Sequence, residues 1–175
     1  MRPYEHLIVD IPDYPKPGVV FKDVTPALAD AQAFSAVVDD LSEHFMGRGV
    51  TKVVGAEARG FMVGSAVAYR LGAGFVPARK PGKLPRATIS ESYDLEYGSD
   101  ALEVHADAFT PDDVVIVIDD LIATGGTAVA MARLVERSGA KLAGLGFFME
   151  LAFLNPRPLL ADVTDAEVFS LIRVE

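Results

Sequence analysis

Apolar residues recur along this chain in two rhythms. In residues 33–48, Phe34, Val37, Val38, Leu41 and Phe45 fall at the three-and-four spacing of one helix face, and Gly47 and Gly49 stand where that helix should stop. Short apolar runs at 51–56 (TKVVGA), 73–79 (AGFVPAR), 114–118 (VVIVI) and 142–149 (LAGLGFFM) read instead as buried strands. Helical patterns at 60–72 and at about 125–138 lie between strands. Strand, helix, strand implies a parallel crossover, so the pattern predicts an α/β fold, a doubly wound parallel sheet in one domain over 1–175. Ligands in such sheets bind beyond the carboxyl ends of the strands.

Two stretches break the rhythm. Residues 1–30 form an N-terminal arm outside the repeats. Residues 80–113 carry early Pro and Gly and frequent charges, and only TISESYDLEY and ALEVHA alternate as exposed antiparallel strands would. A long connection inside a compact domain is usually functional or disordered, and the alternation favours a mobile antiparallel lid able to order over a ligand.

Charge and composition narrow the partners. With 25 acidic against 16 basic residues the formal charge is -9, which opposes a nucleic-acid backbone or an anionic membrane. The chain has no cysteine, so disulfides, a thiolate nucleophile and a Cys-based zinc site are excluded, and a reducing, cytoplasmic setting is expected. The N-terminus MRPYEHLIVDIPDYPKPG has no apolar run of signal-peptide length, and no segment approaches the roughly 20 apolar residues that span a bilayer.

The densest chemistry lies in VVIVIDDLIATGGTAVAM, residues 114–131. The strand is expected to end at Ile118, with Asp119 and Asp120 emerging beyond it and Ala123–Thr127 turning into a helix. The free N–H groups of that helix start attract anions. Gly125 and Gly126 allow close backbone approach, and the hydroxyls of Thr124 and Thr127 suit phosphate oxygens. Carboxylates repel phosphate, so the acids should serve another part of the same ligand. Vicinal hydroxyls fit acceptor-only groups, and the combination suggests a phosphorylated ribose. An N-cap acid before an ordinary glycine turn has the same spacing. Neither Gly-x-Gly-x-x-Gly nor Gly-x-x-x-x-Gly-Lys is present here, against dinucleotide and P-loop readings.

That stretch resembles the phosphoribosyl-diphosphate signature of the type I phosphoribosyltransferases. IPDYPKPGVVFKDVTP (11–26), GAEARGF (55–61), PARKPGKLP (77–85) and SYDLEYG (92–98) resemble, in order and spacing, the adenine-using members of that family over nearly the whole chain. The resemblance implies transfer of the phosphoribosyl group of 5-phosphoribosyl 1-diphosphate to adenine, giving AMP and diphosphate, in a cytoplasmic homodimer.

By resemblance, Asp119 and Asp120 hold the ribose hydroxyls and the electrostatics of the reacting sugar, while Ala123, Thr124, Gly125, Gly126 and Thr127 hold the 5-phosphate. Arg59 would bind diphosphate, a role suited to a planar guanidinium, in a loop where that family often has a non-proline cis peptide, by position Glu57–Ala58. Arg79, Lys80 and Lys83, otherwise an ordinary solvated cluster, become further diphosphate contacts, from either subunit. Glu96, beside Tyr97 in the lid, becomes the acid near the purine. The arm becomes a hood, with Phe21 stacking on adenine and backbone groups around Val20 and Lys22 reading its edge. Magnesium is expected to be coordinated mainly by the diphosphate substrate, since no acid cluster resembles a complete metal cage.

His6, His44 and His105 lack metal-ligand spacing, and Met46, Met62 and Met131 read as core fillers. Two other functions are weighed. One is transfer to another purine or pyrimidine base, which VVF and DLEYG argue against. The other is a non-catalytic regulator sensing phosphoribosyl diphosphate, for which an acidic chain with so short an arm has no nucleic-acid-binding domain.

Overall fold

The computed structural model describes residues 2–94 and 98–175. The N-terminal arm pairs β1 (Val9–Pro12) with antiparallel β2 (Val20–Asp23), followed by the short helix α1 (Thr25–Ala29). Helix α2 (Ala31–Phe45) starts where Asp30 caps it, Oδ1 accepting from the N–H groups of Gln32 at 3.0 Å and Ala33 at 2.8 Å. It ends before Gly47, which has φ 79°, a left-handed conformation that glycine adopts without a Cβ penalty.

The crossovers follow as expected: β3 (Lys52–Ala56), α3 (Arg59–Leu71) and β4 (Gly74–Ala78); then the antiparallel pair β5 (Thr88–Asp94) and β6 (Ser99–His105); then β7 (Val114–Ile122), α4 (Gly126–Arg137) and β8 (Lys141–Leu151). Helix α5 (Pro156–Ala161) leads to β9 (Val168–Val174), a parallel strand that the residue pattern did not single out. Among the described residues the main sheet is wholly parallel, in the order β4-β3-β7-β8-β9.

Each face of the sheet carries a core. Ile116 and Ile118 of β7 pack with α2 and α3 through Val37, Leu41, Phe45, Val63 and Val67. Val115 and Val117 face the other way, into a core holding Met131 and Leu134 of α4. Burial on both faces explains why the strand reads as a continuous apolar run.

Three expectations need correction. Strand β7 does not stop at Ile118; its ladder with β8 continues to Ile122↔Glu150, so Asp119 and Asp120 lie within the strand. The β5–β6 hairpin is not exposed on both faces. Leu102 and Val104 are buried, and Ile89 and Tyr93 pack against the same core as α4. Met131 is buried, but Met46 follows the last apolar position of α2 and Met62 faces outward from α3, leaving both about half exposed.

Candidate active site

The chain crosses from β3 to β4 in one direction along the sheet and from β7 to β8 in the other. The carboxyl ends of β3 and β7 therefore flank the switch point where an open parallel sheet forms its crevice. A cavity of about 220 Å³ lies there, walled by Glu57–Arg59 after β3, by Asp119–Ala128 from β7 into α4, and by Tyr93 and Phe147.

The two acids are 8% and 4% exposed. The Asp119 Oδ1 atom accepts from the Asp120 N–H at 2.9 Å. Burial first, and then the neighbouring Asp120 charge, push the Asp119 carboxyl well above the ordinary aspartate range. Burial also raises Asp120, opposed mainly by the Arg59 cation. The Arg59 Nε atom lies 2.7 Å from Asp120 Oδ2. The N–H direction makes this an ion-pair contact rather than a hydrogen bond, and Oδ2 has no hydrogen-bond partner among the described residues. A buried acceptor in that condition suits an incoming hydroxyl donor.

Two glycines make room for this arrangement. A Cβ on Gly60 would come 2.5 Å from Asp119 Oδ1, and one on Gly55 would come 2.8 Å from the Gly60 carbonyl oxygen. Gly60 was missed in the sequence, although a glycine in the first turn of a helix costs propensity and was therefore a readable signal.

On the other wall, Gly125 adopts φ 94° and α4 begins at Gly126 without a side-chain cap. Its first N–H groups are thus unsatisfied by any cap where Thr127 and Ala128 line the cavity. Ala123 and Thr124 complete the turn. A Cβ on Gly126 would meet Tyr93 Cδ2 at 2.9 Å, so the hairpin lies directly against the loop. Tyr93 was also missed, since an aromatic in an alternating strand gives no sign of what it faces.

The arm reaches the site through Arg59, whose guanidinium carbon is 5.7 Å from the Phe21 ring centroid. Phe21 also meets Tyr14 edge-on at 5.3 Å. Lys22 Nζ is held by both oxygens of Asp10 at 2.7 Å, its register partner in the β1–β2 pair. Val20 is 48% exposed.

The Glu57–Ala58 peptide is cis, as the resemblance implied. Glu57 Oε1 accepts from the Lys80 N–H at 2.7 Å and lies 3.3 Å from Arg79 Nε, tying the start of the hairpin segment to the cavity wall. Lys80 Nζ pairs with Asp100 at 2.9 Å. Lys83 is exposed and makes no ion pair among the described residues. Glu96 and Tyr97 lie outside the described residues. His44 stacks on Phe169 at 3.7 Å, away from the cavity. No group of three or more acidic or histidine side chains that could hold a metal occurs among the described residues.

A family model described as a phosphoribosyl transferase domain matches residues 25–168. The adenine phosphoribosyltransferase of Streptomyces clavuligerus is 59% identical over 153 residues, covering 87% of this chain and 86% of its own. That of Acidobacterium capsulatum is 50% identical, covering 98% and 93%. Among solved structures, adenine phosphoribosyltransferase from Thermoanaerobacter pseudethanolicus superposes with a TM-score of 0.92 at 47% identity over 98% of both chains. The Giardia lamblia enzyme, complexed with 9-deazaadenine, gives 0.92 at 38% identity over 98% of this chain and 96% of its own. With an uncapped glycine turn beside two buried carboxylates and this similarity over almost its full length, the chain belongs to the phosphoribosyltransferase family, in its adenine phosphoribosyltransferase branch.

Proposed function

We propose that the protein is a purine salvage enzyme that transfers the phosphoribosyl group of 5-phosphoribosyl 1-diphosphate to adenine, forming AMP and diphosphate. The observation that carries this reading is the buried pair Asp119 and Asp120 beside the uncapped start of α4. In this reading the turn Ala123–Thr127 takes the 5-phosphate on backbone N–H groups and threonine hydroxyls. The carboxylates accept from the ribose hydroxyls and oppose the positive charge that develops at the anomeric carbon.

A ring nitrogen of adenine bonds to that carbon while the bond to diphosphate breaks, the electron pair leaving on a diphosphate oxygen. The ring proton goes to Glu96, assigned from the sequence resemblance alone. Arg59 offers parallel N–H groups to the diphosphate, and Arg79, Lys80 and Lys83 add positive charge from the hairpin segment. Phe21 stacks on adenine. Backbone groups at Val20 and Lys22 read the amine and neighbouring ring nitrogen, and Tyr97 helps close the base site as part of the lid.

Two adjacent carboxylates are hard oxygen donors suited to magnesium or its waters, but no third acid joins them among the described residues. The diphosphate would therefore supply most of the coordination, and the bound ion would offset charge on the leaving group. The same proposal places the protein in the cytoplasm as a homodimer, the dimer being supported by the exposed Met62 and Tyr69 on α3, a face that a second copy could cover.

The test is initial rates with phosphoribosyl diphosphate, magnesium and each of adenine, hypoxanthine, guanine, xanthine and orotate, with the nucleotide product separated by chromatography. AMP formation should dominate. No AMP, or a faster reaction with another base, would overturn the assignment.

A further inference from the structure

Glu150 is a buried carboxylate that the proposed reaction does not use. It is 1% exposed, near the carboxyl end of β8, in register with Ile122 of β7 and Arg173 of β9. Arg157 donates to it twice, Nε to Oε1 and Nη2 to Oε2, both at 2.8 Å. Ser170 Oγ donates to Oε2, also at 2.8 Å. These hydrogen bonds, from Arg157 above all, hold the carboxyl below the ordinary glutamate range despite its burial.

Arg157 is the second residue of α5, a helix of six residues, too short to be stable by itself. Pro156, its first residue, is buried, and it lies against the phosphate loop. A Cβ on Gly125 would come 3.3 Å from Pro156 Cβ and 3.6 Å from Leu159 Cδ2. The chain of contact therefore runs from Ser170 on β9, through Glu150 on β8 and Arg157 on α5, to Gly125.

We propose that the Glu150–Arg157 pair is a positioning brace for the phosphate loop: by clamping α5 to β8 it holds Pro156 and Leu159 against Gly125 and fixes the N–H groups of residues 125–128. This rests on the reading of that loop as the 5-phosphate site. Neither residue touches the substrate. Both act through α5, so their removal should loosen the grip on the sugar phosphate and leave the adenine hood unaffected.

The experiment measures ribose 5-phosphate binding by calorimetry, together with KM for both substrates and thermal stability, in wild type, Arg157→Met, Arg157→Lys and Leu159→Ala. Arg157→Met should weaken ribose 5-phosphate binding and raise KM for phosphoribosyl diphosphate at least tenfold, with KM for adenine within twofold of wild type. Arg157→Lys, which keeps the charge but loses the fork, should recover part of the loss. Leu159→Ala leaves the ion pair intact and removes a half-exposed contact, so it gives the same readout, about threefold, even if Arg157→Met does not fold. Unchanged ribose 5-phosphate binding in Arg157→Met or Leu159→Ala, or equal losses for adenine and the sugar phosphate, would overturn the brace. Failure of the wild type itself to bind ribose 5-phosphate would instead remove the phosphate assignment of the loop, and the brace with it.

Discussion

Arg59 Nε lies 2.7 Å from Asp120 Oδ2, so the cation assigned to the diphosphate stands beside a carboxylate assigned to the ribose. The two therefore share an electrostatic environment. Burial raises the Asp120 carboxyl, and Arg59 is the leading influence that lowers it again. Replacing Arg59 by Ala should raise that pKa further, because the charged carboxylate loses its nearest counter-charge. The acidic limb of the kcat/KM profile should then move to higher pH, with KM for phosphoribosyl diphosphate raised about tenfold or more. Because buried Asp120 loses that counter-charge, the melting temperature at pH 7 should fall, and the gap to wild type should narrow as pH falls towards 4. An unmoved acidic limb would show that the pair does not control the titrating group.

Replacing Asp119 and Asp120 together by Asn should lower kcat by about 10²–10³-fold, the loss typical of removing transition-state charge stabilisation. Single-turnover rates separate this effect from slow product release.

The same acids have a stability consequence of opposite sign. A buried carboxyl whose folded pKa is raised binds more protons folded than unfolded, between the unfolded pKa of about 3.9 and its higher folded value, so stability falls as pH rises through that window. Asp119→Asn should therefore raise the melting temperature at neutral pH relative to wild type, with the advantage shrinking as pH falls towards 4. Thermal melts across pH read this directly, and a less stable variant at pH 7 would contradict it.

Asp113 behaves in the other direction. Burial pushes its carboxyl up, but Lys52 and hydrogen bonds from Thr110 and Thr51 outweigh that and hold it well below the usual aspartate range. Its contribution to stability is present above the unfolded pKa and is lost as pH falls through the lowered folded value. Asp113→Asn should lower the melting temperature at pH 7, and the gap to wild type should narrow in acid. Asp113 lies just before the amino end of β7, far along the strand from the site, so KM values should hold.

Phe21→Ala should weaken adenine use by roughly five- to 150-fold, from stacking worth about 1–3 kcal/mol. KM for phosphoribosyl diphosphate should change far less, although the Phe21 ring also lies near Arg59. Normal adenine binding in the variant would leave Phe21 as a residue that merely pins the arm.

Gly60→Ala should reduce kcat without removing any functional group, because the added Cβ would fall 2.5 Å from Asp119 Oδ1 and one of the two must shift. A crystal structure of the variant would show which one moves.

The apolar rhythm alone predicted helices over residues 33–48 and 60–72, within a few residues of where they lie at 31–45 and 59–71, together with the crossovers and the glycine turn at the end of a strand, because periodicity and backbone conformation are local properties. The chemistry of Asp119, Asp120 and the turn was legible for the same reason: those residues are adjacent in the chain. Tertiary structure decided the rest. The ladder with β8, extending to Ile122↔Glu150, buries both acids inside β7 instead of leaving them beyond its end. Packing against α4 turns an alternating hairpin into a wall of the site and brings Tyr93 onto Gly126. Arg59 and Asp120 are 61 positions apart, and no local pattern encodes a pairing made across parallel strands. Local rules fix what each segment can become, whereas burial, and with it the shifted carboxyls, arises only when distant segments exclude water together.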